Sequence, residues 1–387
     1  MQVFSGLKVL DFTTTIAGPY CARLLADLGA DVIKIESPEG DLMRSRPPLR
    51  NGASSSFGQL NAGKRSIVLD FKRKEAVAAA RRLIGQSEVV VENFRPGVMK
   101  RLGLDYASVS AELPGLVYCS ISGYGQTGPS SGKPAYAPVV HATSGYDLAH
   151  IAHQGGRTRP DCCGIFIADV VAGTYAFGAI SAALAHRAAT GEGQQLDVSM
   201  MESMLALTLT EVQAAQFQMP PPPKRALYGP AATSDGFVNI AVASERTFSE
   251  LAKAAGREDW ITDPRFAKYL DRRANWAVFM DELEAWTQTL STAACMEIFD
   301  RHGVPAGPYR TVREALADPQ LVHRRSLAEV HDAGGAFKVV NAPFRMSKSE
   351  TMAGPRAAAL GEHTREVLAS VGYDDAEIAA ITGNPSG

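Results

Sequence analysis

An alternation of short apolar strands with amphipathic helices, running through the first third of the chain, constrains the fold more than any other feature. Strand–helix–strand units of this kind predict a parallel sheet joined by right-handed crossovers. The strands are predicted at Leu7–Phe12, Asp31–Glu36, Ser66–Asp70, Glu88–Glu92 and Leu116–Ile121, and the helices at Cys21–Leu28 and Lys74–Ile84. The pattern is typical of an α/β domain with a doubly wound, Rossmann-like sheet.

Ligands of such sheets bind where the parallel strands end, at the carboxyl edge. The predicted ligand-binding loops therefore follow Phe12, Glu36, Glu92 and Ser122. The last of these loops contains Gly123, Gly125 and Gly128, whose backbone can approach a ligand closely and offer N–H donors to an oxyanion or phosphate. An ordinary series of turns would have the same composition, so both interpretations stay open at this point.

The loop Asn93–Gly97 follows a buried strand and offers a polar side chain, an aromatic face and a cation. Together with the nearby Arg101, the cation Arg95 suits the phosphates of a nucleotide. A solvated surface loop would carry the same residues, and this alternative also stays open.

A proline run marks the clearest domain boundary. Pro220–Pro223 form a stiff stretch of polyproline character. The sequence predicts a large Rossmann-like domain over 1–218, a proline-rich linker over 219–234, a small α+β domain over 235–325, and a segment over 326–387 that returns to the large domain.

Charge and cysteine usage exclude several classes of protein. The net charge of −2 gives no reason to expect nucleic acid or an anionic membrane as a partner. The five cysteines are odd in number and include no CxxC pair, which favours reduced thiols in the cytoplasm over disulfides or a metal site. The N-terminus lacks the basic start and apolar stretch of a signal peptide.

The segment Ile165–Ala185 is long enough to span a bilayer, and Asp169 is its only charged residue. Because it lacks strongly basic flanks and is rich in Gly, Ala and Ser, we expect a helix buried on all sides in a soluble core. Near a helix N-terminus the dipole would stabilise the Asp169 anion, while burial would raise its pKa. Asp169 is thus a candidate nucleophile, and a simple N-terminal cap is the alternative.

Three other motifs lead away from common enzyme classes. Gly58–Arg65 nearly matches a phosphate-binding P-loop, but Arg65 stands where Ser or Thr should ligate magnesium. No GxGxxG lies between a predicted strand and a predicted helix, which gives a nicotinamide enzyme little support. Asp147, His150 and His153 lie at three-residue steps near His141, but without an HExxH motif or carboxylate-rich partners we expect no metal site.

Taken together, these stretches resemble the class III CoA transferases of the formyl-CoA transferase type, a family that also contains carnitine CoA transferases and α-methylacyl-CoA racemases. The resemblance runs from Leu7 to about Ile381. It is carried by Ala17–Pro19, Leu25–Glu36, Asn61–Ser66, Glu92–Gly97, Cys119–Pro129, Thr190–Gln194, Gly303–Pro308, Asp318–Pro319 and Gly361–Thr364.

The resemblance implies a role for each matching position. Asp169 would be the catalytic nucleophile, and coenzyme A would be a substrate without any permanently bound cofactor. The positions that would contact CoA are Leu69, Lys72, Asn93, Phe94, Val98 and Arg101, with Thr14, Thr15, Ile16 and Ala17 at the reacting end. Tyr136 and Ala137 would lie near the acyl group, beside Gly123 and Gly125. The resemblance also implies an interlocked-ring homodimer of a large Rossmann-like and a small domain.

In the implied mechanism, the carboxylate attacks an acyl-CoA to give an aspartyl anhydride and then an aspartyl-CoA thioester, and an acceptor acid reverses these steps. Two departures from the formyl-CoA transferases bear on the substrate. Ile16 replaces a glutamine and Ala137 replaces a glutamate, so a bulkier acyl group is expected in place of formyl or oxalyl.

Two other functions stay open. A racemase of this family needs a histidine and an aspartate as opposed acid–base groups, but Tyr136 occupies the histidine position. A phenol with a pKa of about 10 is a poor base near neutrality, which favours the transferase. A CoA-binding protein without turnover is the other alternative, and the presence of Asp169 speaks against it.

Overall fold

A six-stranded parallel sheet forms the centre of the computed structural model, which describes residues 2–154, 157, 159–217 and 228–382. Its strands are β1 (Lys8–Asp11), β2 (Asp31–Glu36), β5 (Arg65–Val68), β6 (Val89–Glu92), β7 (Val117–Ser122) and β8 (Gln195–Ser199), in the order β5-β2-β1-β6-β7-β8. Counted along the chain this order is 3-2-1-4-5-6, as in doubly wound nucleotide-binding sheets. The mixed α/β class with a parallel sheet is thereby confirmed.

Helices and two hairpins surround this sheet. The hairpins are β3 (Leu49–Arg50) with β4 (Ala53–Ser54) and β12 (Leu327–Asp332) with β13 (Gly335–Val340). The helices are α1 (Ala17–Asp27), α2 (Ser55–Asn61), α3 (Lys74–Ile84), α4 (Val98–Leu102), α5 (Tyr106–Val109), α6 (Ala137–Thr143), α8 (Ile167–Thr190), α9 (Met200–Leu207), α17 (Pro319–His323), α18 (Thr364–Ser370) and α19 (Asp375–Thr382), with a 3₁₀ turn at Leu42–Ser45. Apolar residues of the sheet, such as Leu10, Ile67 and Val90, pack with those of α3, α18 and α19 into one core.

A second group of elements has its own aromatic core around Trp260, Phe279 and Phe299. It contains the antiparallel strands β9 (Pro230–Ala232), β10 (Phe237–Ile240) and β11 (Ala306–Pro308), and the helices α7 (Tyr146–Ala152), α10 (Leu209–Ala214), α11 (Glu245–Ala254), α12 (Asp259–Thr262), α13 (Tyr269–Ala274), α14 (Trp276–Thr287), α15 (Thr292–His302) and α16 (Val312–Leu316). Each core is buried by elements of its own group.

The chain divides into two units by its internal contacts. The first contains Met1–Ser144, Gly164–Thr208 and Pro319–Gly387, and the second contains Gly145–Cys163 and Leu209–Asp318. Gly145–Cys163 therefore groups with the second unit, whereas the sequence places it in the large domain. The proline run Pro220–Pro223 lies outside the described residues, and β9 occupies part of the predicted linker. The remaining predicted boundaries stay predictions.

Side chains from the C-terminal segment close the β5 edge of the sheet. The backbone N–H of Ser66 donates to His363 Nδ1 (3.2 Å), and that of Val68 donates to Thr364 Oγ1 (3.0 Å). A salt bridge joins Arg65 of β5 to Glu366 of α18 (3.1 Å). These contacts satisfy strand donors that an edge strand would otherwise leave unpaired.

Helix α8 differs from the expectation of burial on all sides. Within its most apolar 18-residue window only 33% of the residues are buried, and Val170 and Tyr175 are among its exposed apolar side chains. Among the described residues it is the one helix long and apolar enough to cross a bilayer. Helix α8 packs on α1, α6, α9 and the sheet along one side, and among the described residues its other side stays exposed, which explains the partial burial.

Candidate active site

Two cavities lie at the carboxyl edge of the sheet, around the point between β1 and β6 where the strand order reverses. The larger encloses about 540 Å³ and is lined by the loops after β1, β2, β5 and β6. The smaller encloses about 240 Å³ and is lined by the loops after β1, β6 and β7 together with the start of α8. Thr14 and Phe94 line both cavities, so the two adjoin.

The larger cavity combines apolar walls with charged residues. Phe12 and Phe71 stack with ring centroids 6.0 Å apart, and Leu69 and Phe94 add further apolar surface. Lys72 provides a cation at the rim. Four carboxylate side chains also line the cavity, at Glu36, Glu39, Asp41 and Asp70. The apolar walls suit a flat ring and a long flexible arm, and Lys72 is the cation of the lining that a phosphate can pair with.

Asp169 lies in the smaller cavity, in the first turn of α8. The helix N-cap is Phe166, so Asp169 does not occupy the capping position considered from the sequence. Its carboxylate accepts a hydrogen bond from the backbone N–H of Ala17, the first residue of α1. The carboxylate therefore meets the N-terminal ends of two helices, each of which favours an anion.

The pKa of Asp169 reflects two opposing effects. Burial of the carboxyl raises its pKa to about 6, and the hydrogen bond from the Ala17 N–H opposes that rise. At neutral pH the group is mostly ionised, yet it is far more basic than an exposed aspartate. This is the state required of a carboxylate nucleophile.

Glycines allow close packing on two sides of the start of α1, against α8 and against the loop after β1. A Cβ on Gly173, one turn after Asp169, would lie 2.5 Å from the backbone oxygen of Ala17. A Cβ on Gly18 would lie 2.2 Å from the Thr13 side chain. Only a hydrogen atom fits at either position, and the close packing brings Asp169 within reach of the Ala17 N–H.

The loop after β1 is clamped by Asn93. The Asn93 amide accepts the backbone N–H of Thr14 at 2.9 Å and donates to the backbone oxygen of the same residue at 2.8 Å. Asn93 thereby fixes the orientation of the peptide groups beside the smaller cavity. Its loop is itself held by the buried Glu92, which accepts the N–H of Phe94 at 2.9 Å.

Buried ion pairs support this loop from below. Lys64 Nζ lies 2.9 Å from Asp11 Oδ2 and donates to the backbone oxygen of Pro19, while Lys34 Nζ donates to the backbone oxygen of Thr13 at 2.7 Å. Burial alone would raise the pKa of Asp11, but the two lysines outweigh it and lower the pKa below its usual value. Lys64, part of the P-loop-like stretch, is thus committed to internal contacts.

The predicted site residues fall into four groups. Those on the larger cavity are Leu69, Lys72 and Val98, those on both cavities are Thr14 and Phe94, and those on the smaller cavity are Thr15, Ala17, Asn93, Arg95, Gly123, Tyr136 and Asp169. The residues outside both linings are Ile16, Arg101, Gly125 and Ala137. Ile16 and Ala137 are buried at the first turns of α1 and α6, Arg101 is exposed on α4, and Gly125 lies beside the Asp197 carboxylate.

Sequence reasoning missed several residues of the site. Lys133, Ser131 and Met200 line the smaller cavity, and Asp41 lines the larger one. The buried His141 accepts the backbone N–H of Ala168 through Nε2 at 3.1 Å and so fixes the start of α8. The loops that contain Asp41 and Lys133 follow β2 and β7, which is the one signal that points to them. No local pattern identifies His141.

The chain is similar to known proteins over nearly its whole length. The model of CoA-transferase family III matches residues 4–364. A succinate–glutarate CoA-transferase from Agrobacterium fabrum is 33% identical, with 95% of each chain covered, and a succinyl-CoA–D-citramalate CoA-transferase from Chloroflexus aurantiacus is 34% identical, with 97% of this chain and 96% of the relative covered.

A solved structure has the same fold over nearly the whole chain. It is a CaiB/BaiF family protein from Brucella suis, with a TM-score of 0.82 and 33% identity, covering 96% of this chain and 99% of that one. The chain belongs to CoA-transferase family III.

Proposed function

We propose that the protein transfers CoA from an acyl-CoA donor to a carboxylic acid acceptor, with Asp169 as the covalent nucleophile. The observation that carries the proposal is a carboxylate with a pKa of about 6 in a cavity that adjoins a larger one. A nucleophile of this kind can split one difficult exchange into several easier steps. The relatives, which are named as CoA transferases, support the same reaction.

Each step of the proposed mechanism conserves atoms and charge. An Asp169 oxygen attacks the thioester carbonyl, the C–S bond breaks, and an aspartyl-acyl anhydride and CoA thiolate result. The thiolate attacks the aspartyl carbonyl, which releases the donor acid as its carboxylate and leaves an aspartyl-CoA thioester. The acceptor carboxylate then attacks this thioester to give a second anhydride, and the released thiolate takes the acyl group and regenerates Asp169. No proton needs to be moved.

We assign CoA to the larger cavity of a Rossmann-like domain. Apolar surface from Leu69, Phe71 and Phe94 suits the adenine ring and the pantetheine arm, and Lys72 suits a phosphate. Because Thr14 and Phe94 line both cavities, a ligand that fills the larger one can extend its thiol end toward Asp169. Arg101 is exposed on α4 between Val98 and Leu102, which line this cavity, and we propose that it contacts a phosphate.

We propose dicarboxylic acids as the substrate class. Arg95 and Lys133 line the smaller cavity with Asp169, so a substrate whose one carboxyl group reacts with Asp169 can pair its second with a cation. The Oγ of the buried Ser122, which lines the same cavity, has no hydrogen-bond partner among the described residues. Two relatives are named for succinate with glutarate and for succinyl-CoA with D-citramalate, which are substrates with two carboxyl groups.

We also propose that the protein is an intertwined homodimer. Ile165, Phe166, Val170 and Tyr175 form an exposed apolar face at the start of α8, hereafter the α8 face. A contiguous exposed apolar patch typically marks an interaction surface. The family resemblance, in which two chains thread through each other as rings, supports a second copy of this chain as its partner.

The experiment that tests the function combines turnover with trapping. Succinyl-CoA and acetyl-CoA are offered with small mono- and dicarboxylates, and new acyl-CoA is measured by mass spectrometry. We expect exchange with dicarboxylates, and hydroxylamine should trap a hydroxamate on the Asp169 peptide. Asp169→Asn should reduce exchange by several orders of magnitude while CoA still binds, because it removes the nucleophile but not the CoA contacts. The exposed Asp161→Asn serves as a matched control and should exchange normally.

Two outcomes would replace the proposal. If deuterium from solvent entered the α-carbon of a branched acyl-CoA while Asp169 remained unmodified, the protein would be a racemase. If CoA bound tightly and no donor in the panel exchanged, it would be a CoA-binding protein without turnover.

A further inference from the structure

The backbone of Thr15 has an unusual conformation. Its φ is +71°, in the left-handed region. β-Branched residues very rarely adopt this region, because the Cβ substituents clash with the backbone. Surrounding contacts must therefore hold the residue in place, and such strain is concentrated at functional sites.

Asp41 provides the contact that holds Thr15. The backbone N–H of Thr15 points at both carboxylate oxygens of Asp41, at 3.2 and 3.3 Å. On the other side, the Asn93 amide clamps the peptide groups of Thr14. The Asp41 carboxylate thus holds Thr15, and the Asn93 amide holds the peptide groups of Thr14. Asp41 and Asn93 belong to different loops.

Asp41 is itself rigidly fixed. It is 5% exposed, its Oδ2 lies 2.9 Å from Lys34 Nζ, and its Oδ1 accepts the N–H of Met43 at 2.9 Å. Its own N–H donates to Glu36 Oε2 at 3.0 Å. The same Lys34 amine donates to the backbone oxygen of Thr13 at 2.7 Å, so one buried ion pair anchors both ends of the strained turn.

The strained turn leads directly to the group that binds Asp169. Ala17, two residues after Thr15, lines the smaller cavity together with Asp169, packs against α8 at Gly173 and directs its N–H toward the Asp169 carboxylate. We propose that Asp41 is a positioning residue that holds Thr15 in its left-handed conformation and so aims the Ala17 N–H at Asp169. The inference rests on the proposed function, because it concerns how the nucleophile is oriented.

A competing role for Asp41 must be separated from this one. Asp41 also lines the larger cavity, where it could simply contact CoA. A contact with CoA alone would change the KM for acyl-CoA and leave the ionisation of Asp169 untouched. A positioning role would lower kcat and alter that ionisation, because the N–H donor that stabilises the carboxylate would move away.

The test compares wild type, Asp41→Asn and Asp41→Asn/Thr15→Gly. In Asp41→Asn we expect kcat for CoA exchange to fall by about 10- to 100-fold, as for a small displacement of a catalytic group. The pKa of Asp169 should rise, which moves the acid limb of the pH–rate profile to higher pH. Since glycine adopts positive φ without strain, adding Thr15→Gly should recover at least part of kcat and return the acid limb toward its wild-type position.

The ionisation of Asp169 is also measured without turnover, by NMR titration of ¹³C-labelled aspartate carboxyls, with the Asp169 signal assigned from Asp169→Asn. The other charged or ionisable side chains around it are Tyr20, Arg95, Lys133, Tyr136 and His141, all unchanged in these variants. This readout separates the two proposals, because it reports on positioning even if the enzyme has another activity.

Two further variants complete the experiment. Asp31→Asn removes the ion pair with Arg65 at the other end of β2 and should leave kcat and the Asp169 signal unchanged. If Asp41→Asn fails to fold, Asp41→Glu keeps the charge beside Lys34 and should fold, with kcat reduced by the longer arm. An unshifted Asp169 titration in Asp41→Asn or Asp41→Glu, or a double variant as defective as Asp41→Asn, would overturn the inference.

Discussion

Two opposing effects determine the pKa of Asp169: burial raises it, and a hydrogen-bond donor lowers it. Burial makes the anion more basic and hence a better nucleophile, while the Ala17 N–H and two helix ends keep it ionised. A fully exposed aspartate would be ionised but weakly basic, and a fully buried one without a donor would be protonated. The position between these limits suits attack on a thioester near neutral pH.

The raised pKa predicts the acid side of the pH–rate profile. In the proposed mechanism the ionised form of Asp169 reacts, so kcat/KM should be level at neutral pH and fall below pH about 6, by about tenfold per pH unit. The profile is measured with a donor acyl-CoA whose own groups do not titrate between pH 5 and pH 8.

The same pKa predicts a pH-dependent effect on stability. The folded-state pKa of Asp169 lies above its usual value. Ionisation of this group therefore lowers the free energy of unfolding as the pH rises from the usual pKa of an aspartate through the folded-state pKa. Asp169→Asn should therefore have a higher Tm than the wild type at neutral pH, and the difference should vanish near pH 4. An acid limb near pH 4, or equal Tm values at neutral pH, would contradict this description of Asp169.

At the scale of elements, the site depends on how closely α1 and α8 approach. Gly173 lies against the backbone of Ala17, whereas Gly178 on the same helix has open space where a Cβ would lie. Both glycines belong to the same helix, but a Cβ would meet α1 at Gly173 and would meet nothing at Gly178. Substitutions at the two positions can therefore distinguish the effect of losing the contact with α1 from the effect of changing α8 itself.

We predict that Gly173→Ala separates α1 from α8, lowers kcat by an order of magnitude or more, and destabilises the protein by about 1–3 kcal/mol through overpacking. Gly178→Ala should keep its activity and gain about 0.5–1 kcal/mol, since alanine is the better helix former. Activity and Tm are measured together, after sedimentation has established that both variants have the same oligomeric state. Equal losses in the two variants would contradict a specific contact at Gly173.

The sequence predicted the elements better than the contacts between them. β2 and α3 have the predicted bounds, because β2 is a short, mainly apolar run bounded by Gly29 and Pro38, and the buried apolar residues of α3 repeat with a period of 3.6. The clamp between Thr14 and Asn93 joins residues 79 apart, and nothing local to either residue indicates the pairing. The left-handed Thr15 is equally hidden, since a β-branched residue argues against that conformation.

At the scale of the whole molecule, the α8 face is the feature that the isolated chain leaves unexplained. A homodimer that covers it would also explain why a helix apolar enough to span a bilayer occurs beside a carboxylate of the site. Exposed apolar surface of this kind destabilises a free monomer, because its burial is a main source of folding free energy.

We predict that the protein sediments as a dimer at micromolar concentration and that its Tm rises with protein concentration. Tyr175→Glu, which puts a charge into the α8 face, should weaken the dimer and lower the Tm. Val312→Glu, at an apolar position that is 77% exposed on α16, is the matched control and should have little effect. A folded, active monomer whose Tm is independent of concentration would contradict the prediction.

The closure of the β5 edge has a consequence for synthesis on the ribosome. The side chain that accepts the N–H of Val68 lies 296 residues further along the chain, at Thr364. Until that residue emerges, a nascent chain exposes an unpaired strand edge while the second unit is being translated. The nascent chain therefore exposes an aggregation-prone strand edge throughout this time. We expect co-translational chaperones to affect the yield of folded protein more than its final stability.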